Sequence, residues 1–357
     1  MEIRLRKFND LTPEELSVWS RIQVANEHVD SPFFRPEFAT IVHRACQNVE
    51  VALMLEKGFP IAFFPFQRVS ARKGKPLGLT LSDFQGLIGP RSFKEDAAEI
   101  VKGCELASWD FRRVPRSQSW LQGYEGLPTK SYFVDISQGF EAYYDMLRHR
   151  GTIEMQEAEK SYGKLERDVG AVRLVLNYQQ GDMFTAFRRW KEMQSEITGV
   201  TDPLARKWVQ PVLEAIMQEK QLPFMGMSVG LYAGSQLVAV DFGIRSQHVL
   251  HCLGSAFDSN YTRYQPSQCL RLAYFRWAAE HGVRRIDLAH GNEEYKFRLS
   301  TGEHALSSGT VAVTGLSKIM AGMKWKVRQM LEYPALQTPA RFLRSGINRA
   351  RRIMGAE

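Results

Sequence analysis

The sequence predicts an α/β (α+β) protein made of two related units followed by a basic helical tail. Two observations carry this expectation. A strand–turn–strand run recurs about half a chain apart: Val51 to Phe66 turning at Lys57-Gly58, and Met227 to Phe242 turning at Gly234-Ser235. Glycine at such a turn supplies the positive φ that a short hairpin loop needs. A helix-rich stretch precedes each run, Pro13 to Cys46 in one half and Met183 to Lys220 in the other. The halves therefore read as two copies of one unit.

The first unit is expected over residues 1–140. A connector over 141–167 sets Leu147, Ile153, Met155 and Leu165 among charged residues and reads as helix, broken near Gly151. The second unit covers 168–316. Within it, Met183 to Ile197 carries Phe184, Phe187, Trp190 and Met193 on one helical face. Pro203 to Lys220 reads as a further helix. Strands are expected at Met225–Ala233, Gln236–Arg245 and Val249–Ala256, then a polar loop from Asp258 to Gln268. A long helix, Cys269 to His281, is closed by Gly282 in the C′ position. Val283 to Ala289 is a last short strand. Strand, loop, helix and strand in that order argue for a crossover with locally parallel strands.

Composition narrows the function classes. The chain has 357 residues, 44% hydrophobic and 24% charged, enough apolar material for two cores and too much for a disordered chain. The most apolar stretch, Val51 to Phe66, is interrupted by Glu56, Lys57, Gly58 and two prolines, so no membrane-spanning helix is expected. The start, Met-Glu-Ile-Arg-Leu-Arg-Lys, has no apolar signal region. Cys46, Cys104, Cys252 and Cys269 are scattered, which reads as free thiols in a reducing cytoplasm. No metal is implied, because the eight histidines form no ligand array. Of the net charge of +8, residues 318–357 hold +7 and the body only +1. That distribution argues against nucleic-acid binding by the whole surface.

The run Asp287-Leu-Ala-His-Gly291-Asn-Glu-Glu-Tyr295-Lys296 follows the long helix. Asn26 before Pro32-Phe33, the hairpin at Val51–Phe66 and Ser82-Asp83-Phe84 stand in the first half. Together these resemble the GNAT acyltransferases of the CelD-like group (cellulose and exopolysaccharide biosynthesis), relatives of the FemAB peptidyltransferases. The resemblance spans about residues 5–315. It implies tandem GNAT-like domains, each a mixed, partly splayed β-sheet flanked by helices. It also implies acyl transfer from acetyl-CoA or another acyl-CoA to a small-molecule amine such as an amino sugar. Members usually carry a glycine-rich turn where the long helix begins. Here the turn is Gln265-Pro-Ser-Gln268-Cys-Leu270. The glycines that would let backbone N–H groups approach a pyrophosphate are missing.

Candidate site residues follow. The helix start at Pro266 offers unpaired N–H groups, with Arg263, Gln265, Ser267, Gln268 and Arg271 around it as donor-binding candidates; a plain helix cap is the other reading. Lys296 would meet donor phosphates or an acidic acceptor, and Tyr295 would protonate the departing thiolate; otherwise they are an exposed lysine and a tyrosine packed on the sheet edge. Asp241 interrupts an apolar strand, sharing a face with Ala239 and Gly243, opposite Val238, Val240, Phe242 and Ile244. It is either the base that deprotonates the amine or a partner of Arg245. His251 on the next strand has the right titration range for a base, while a lone histidine in an apolar strand is more often a satisfied core residue. Asp287, at the end of the last strand, would orient Lys296 or the acceptor. His290 and Glu294 are weaker candidates, and Asp83 and Gln85 would line the acceptor side from a non-catalytic first unit. An aminoacyl-tRNA-dependent FemAB-like transferase and a non-catalytic glycan-binding or partner-binding protein are the alternatives. Finally, Arg341 to Met354 sets Leu343, Ile347, Ala350 and Met354 on one helical face and five arginines on the other. Such a basic amphipathic helix suits the anionic inner face of a plasma membrane, or docking on its own domain.

Overall fold

The computed structural model describes residues 1–332 except 177–180, 200–203, 205 and 292. The Arg341–Met354 segment lies outside the described residues. The first half contains β1 (Glu2–Lys7), α1 (Pro13–Ala25), α2 (Pro36–Cys46), β2 (Val49–Glu56), β3 (Phe59–Ser70), β4 (Lys73–Pro76), α3 (Ala97–Gly103), β5 (Ser108–Pro115) and β6 (Glu125–Asp135). Two helices connect the halves, α4 (Phe140–His149) and α5 (Glu154–Val169), separated by Gly151 at φ +75°. The rest runs β7 (Val172–Leu176), α6 (Asp182–Thr198), α7 (Val209–Gln218), β8 (Lys220–Gln221), β9 (Phe224–Ala233), β10 (Gln236–Arg245), β11 (Val249–Phe257), α8 (Pro266–Glu280), β12 (Arg285–His290), α9 (Glu294–Leu299), β13 (Gly302–Ala312) and α10 (Gly315–Glu332).

All described strands join one mixed sheet in the order β1-β2-β3-β4-β5-β13-β6-β12-β11-β10-β9-β7, with β8 beside β9. The two hairpins of the sequence are the antiparallel pairs β2–β3 and β9–β10. α8 is the crossover between β11 and β12, which run parallel. That pairing lasts only from Val249–Arg285 to His251–Asp287. Beyond it the two strands part, and the sheet opens. β13 is laid between β5 and β6, antiparallel to both.

Three apolar cores pack on this sheet. One joins α1 and α2 to α6, α7 and the Val240, Phe242 and Ile244 face of β10. A second packs α4, α5 and α8 on the opposite face, against Met227, Val229, Val238 and Ala239. A third surrounds Phe64, Trp109 and Trp120 beneath α3. The alternation predicted for β10 holds from Ala239 onward. A register shift between Leu237 and Ala239 turns Val238 into the second core, where strict alternation puts it with Val240. α7 lies close on β9 at Gly226, where an added Cβ would stand 2.2 Å from the Ile216 carbonyl oxygen. Gly226→Ala is therefore expected to cost about 1–3 kcal/mol through overpacking against backbone that cannot yield. Urea unfolding of the two chains checks this.

α10 docks on the sheet, with Trp325 Nε1 donating to Thr310 Oγ1 at 3.0 Å. Among the described residues no helix is long and apolar enough to cross a membrane.

Candidate active site

The opening between β11 and β12 forms a cleft of about 920 Å³. Its walls come from both halves of the chain: Thr80, Leu81 and Asp83 from the first, with α6, β10, β11, the first turns of α8, Leu288 to Gly291, Glu293, Tyr295 and Lys296 from the second. It lies beyond the C-terminal ends of two parallel strands, where open α/β sheets place their ligands.

Asp241 sits on the β10 wall, 5% exposed. Its Oδ1 has no hydrogen-bond partner among the described residues. Burial pushes its carboxyl up to about 7, against the opposing charges of Arg271 and Lys191. A carboxyl left unpaired in a polar cleft is costly to the fold, so its presence points to chemistry. Arg245 does not neutralise it: Nη2 of Arg245 donates to the His281 carbonyl at 2.6 Å. Cys252 shares the cleft, and burial holds its thiol well above the usual range, so it is no nucleophile at neutral pH.

Arg271 and Ser267 line the cleft from α8. The Arg271 guanidinium lies 4.0 Å from the Tyr295 ring centroid and donates to Gln268 Oε1 at 3.1 Å. Burial pushes the Tyr295 hydroxyl up to about 12, which keeps it a hydrogen-bond donor at neutral pH. Lys296 also reaches the cleft wall, yet its ammonium donates to the His290 carbonyl at 2.7 Å and pairs with Glu293 at 3.1 Å. It holds the turn that carries the site. Gly291 makes that turn possible, since its φ of +142° is a conformation that other residues rarely adopt. Arg298 and Glu294 pair with each other on the exposed side.

Arg263, Gln265 and Gln268 are not on the cleft wall. The Arg263 guanidinium lies over the Tyr264 ring, 4.6 Å from its centroid. Gln265 takes the left-handed position (φ +49°) that precedes α8, and its carbonyl accepts the N–H groups of Gln268 and Cys269. The helix start is capped by the chain's own backbone, so what remains for an anion is Ser267 with Arg271.

His251 and Asp287 are also absent from the cleft wall: His251 is the core histidine that an apolar strand more often holds, and Asp287 departs from its expected place beside a ligand. Both are fully buried beneath it. His251 Nε2 bonds Asp83 Oδ2 at 3.1 Å, and Nδ1 stands 3.7 Å from Asp287 Oδ2, an ionic contact beyond hydrogen-bond range. Asp287 touches Arg285 at 3.0 Å and His304 at 3.2 Å, and Arg285 goes on to Asp30 at 2.6 Å. Burial alone would lower His251 and raise the two aspartates. Instead the flanking carboxylates raise His251 above its ordinary value. Hydrogen bonds from His251 and His290 with the Arg113 charge hold Asp83 well below the carboxylate range, and Arg285 with His251 and His304 does the same for Asp287. The cluster locks first-half residues Asp30, Asp83 and Arg113 to β11 and β12. Gln85 is likewise structural, donating to the Leu79 and Ser82 carbonyls.

Strict alternation along β12 would set His290 on the face opposite Asp287. Ala289 adopts φ +61°, and the β12–β6 register slips between Asp287 and His290. The bulge brings His290 onto the cleft wall, where Nδ1 lies 2.7 Å from Asp83 Oδ1.

Residues 155–297 match the sequence profile of a family described as acetyltransferase (GNAT) domain. No curated protein matches the sequence. Solved structures match the fold over nearly the whole chain. FemX is 10% identical, with 90% of this chain and 100% of that chain covered and a TM-score of 0.60. A lysylphosphatidylglycerol synthetase C-terminal domain from Agrobacterium fabrum is 12% identical (88% and 96% covered, TM-score 0.52). A tandem GNAT protein from the clavulanic acid biosynthesis pathway is 10% identical (88% and 99% covered, TM-score 0.50). At such identities the likeness is one of fold. The class is thus a mixed α/β protein of tandem GNAT-like fold, with the GNAT acetyltransferase profile falling on the part of the chain that builds most of the cleft.

Proposed function

We propose that the protein is an N-acyltransferase that moves an acyl group, acetyl in the simplest case, from an acyl-coenzyme A thioester to an amine. The observation that carries this reading is Asp241, a buried, unpartnered carboxyl in the cleft, raised to about 7. An amine is protonated at neutral pH and must lose a proton before its nitrogen can attack, and a base poised near the working pH does this best. Ser267 and Arg271 fit the anionic part of the carrier, and a bound thioester would supply an acyl carbon already activated toward nitrogen. Arg271 and the Tyr295 hydroxyl are cleft groups that could donate to the charge developing on the thioester oxygen.

The CelD-like resemblance directs the acceptor toward an amino sugar or related intermediate of cell-surface polysaccharide synthesis. In this reading residues 1–140 are a non-catalytic unit that supplies one wall of the acceptor side, and 168–316 the catalytic unit. Acetyl-CoA binding only to the folded chain raises its stability, by about 2.7 kcal/mol at one hundred times Kd. Thermal shift measures it. Arg271→Ala is expected to weaken acetyl-CoA about 10- to 100-fold, the range of a lost hydrogen bond to a charged group. An unmoved melting temperature in the parent chain rejects the acyl-CoA reading. A second reading, transfer from an aminoacyl-tRNA, is favoured by the Gln265 turn, which offers no glycine cradle to a pyrophosphate. Salt-dependent retention of tRNA would support it.

The tail is proposed to hold the protein at an anionic membrane surface. Because α10 packs through Trp325, the informative truncation ends at Glu332. The full chain is expected to pellet with phosphatidylglycerol vesicles and the truncated one to stay in solution; equal pelleting rejects the proposal.

A further inference from the structure

We infer that His290 is a second proton-handling residue of the cleft, and that Asp83, reaching in from the first half of the chain, is the positioning residue that fixes its tautomer. This rests on the acyl-transfer reading and deepens it. One carboxylate grips His290 twice: Oδ1 faces the ring Nδ1 at 2.7 Å, and Oδ2 accepts the backbone N–H at 3.2 Å. Asp83 cannot turn away, because Arg113 donates to Oδ1 and His251 Nε2 bonds Oδ2. An ionised carboxylate only accepts hydrogen bonds, so Nδ1 carries a proton, and in the neutral ring the lone pair is on Nε2. The His290 side chain is 42% exposed on the cleft wall, and Nε2 has no partner among the described residues. The charged groups around the ring are Asp83, Glu293, the Lys296 ammonium on the His290 carbonyl, and Arg113 behind Asp83. The backbone is held in a sparsely populated conformation at Ala289 to present this ring, as strained residues at working sites often are.

The reaction has two protons to place. An amine that enters as ammonium sheds two on becoming an amide; one returns to the departing sulfur and one goes to water. Asp241 takes the first, before attack. As the N–C bond forms and the C–S bond breaks, His290 Nε2 takes the second. Its imidazolium is stabilised by Asp83 and passes the proton to the sulfur.

The test has a spectroscopic and a kinetic arm, both on the full chain. Long-range proton–nitrogen NMR, with the His290 signals found by their loss in His290→Gln, is expected to show the Nδ1–H tautomer in the parent and a mixture in Asp83→Asn. Thiol release from acetyl-CoA with a panel of amines is expected to show His290→Gln at least 100-fold slower in kcat, with KM for acetyl-CoA and the acetyl-CoA thermal shift unchanged. His290→Asn, smaller and also neutral, is expected to behave alike if the first variant folds poorly. An Nε2–H tautomer in the parent, or a kcat within threefold of it in either variant, overturns the inference. Should acetyl-CoA leave the parent's melting temperature unmoved, the acyl-CoA reading falls and the proton role falls with it. The tautomer result still decides whether Asp83 positions the ring.

Discussion

His251→Leu is expected to lower stability by about 3–5 kcal/mol at pH 6, read as a shift of the urea midpoint at unchanged slope. The side chain is fully buried between Asp83 and Asp287. Removing it leaves two buried carboxylates facing each other across an apolar side chain. Asp83 would keep Arg113 and His290, and Asp287 would keep Arg285 and His304, which is why the expected loss is not larger. The pH dependence has a definite sign. His251 is raised on folding, so its contribution is complete below its unfolded value of 6.5 and is lost as pH rises through the folded value. Asp83 and Asp287 are depressed, so theirs is complete above 3.8 and is lost as pH falls through the folded values. The gap between parent and variant is therefore widest between about pH 4 and 6.5 and narrows on either side. A gap that grows as pH rises to about 6.5 and stays level above it would show that His251 is buried neutral.

Asp241→Asn carries the second large effect. Turnover is expected to fall about 10²- to 10⁴-fold, the usual contribution of a positioned base, with acetyl-CoA binding preserved. The parent's rate should rise with pH through about 7 as the carboxyl ionises, and the variant's residual rate should lack that limb. Stability moves the other way. The folded state holds the Asp241 proton more tightly than the unfolded chain, so this group destabilises the fold progressively from pH 4 to 7, by roughly 3–5 kcal/mol in all. Asp241→Asn should therefore be at least as stable as the parent at pH 8, with no gain below pH 4. A variant that is both inactive and less stable at pH 8 would make Asp241 a structural residue.

Much of the fold was legible because it is written in local pattern. The hairpins announced themselves by Lys57-Gly58 and Gly234-Ser235, the break between α4 and α5 by Gly151, and the crossover by an apolar helix set between two short strands. Asp241 stood out because an acid among Val238, Val240 and Phe242 has no local reason to be there. The site beyond it was only partly legible. Asp287 looked like a ligand-facing group and His251 a candidate base, since nothing along the chain says that Asp83, Asp30 and Arg285 will meet them in the interior. His290 was hidden by the bulge at Ala289, where a non-glycine residue takes a left-handed conformation that alternation cannot foresee. Arg263, Gln265 and Gln268 were credited to a donor because they surround a helix start, yet Arg263 lies over Tyr264, Gln265 turns the backbone into α8, and Gln268 accepts from Arg271. Long-range pairing decides such cases, and one chain's spacing does not record it.

The placement of β13 has a consequence for biogenesis. β5 and β6 are complete by Asp135, but the strand that belongs between them ends at Ala312. While the ribosome makes the intervening residues, two long strands present bare facing edges, the kind of surface that invites aggregation. Asp83 likewise waits for its histidines until β11 and β12 have been made. The nascent chain thus gains neither a sealed sheet nor a wired cleft until its last strand emerges, and holdase chaperones should be found on stalled intermediates shorter than that point.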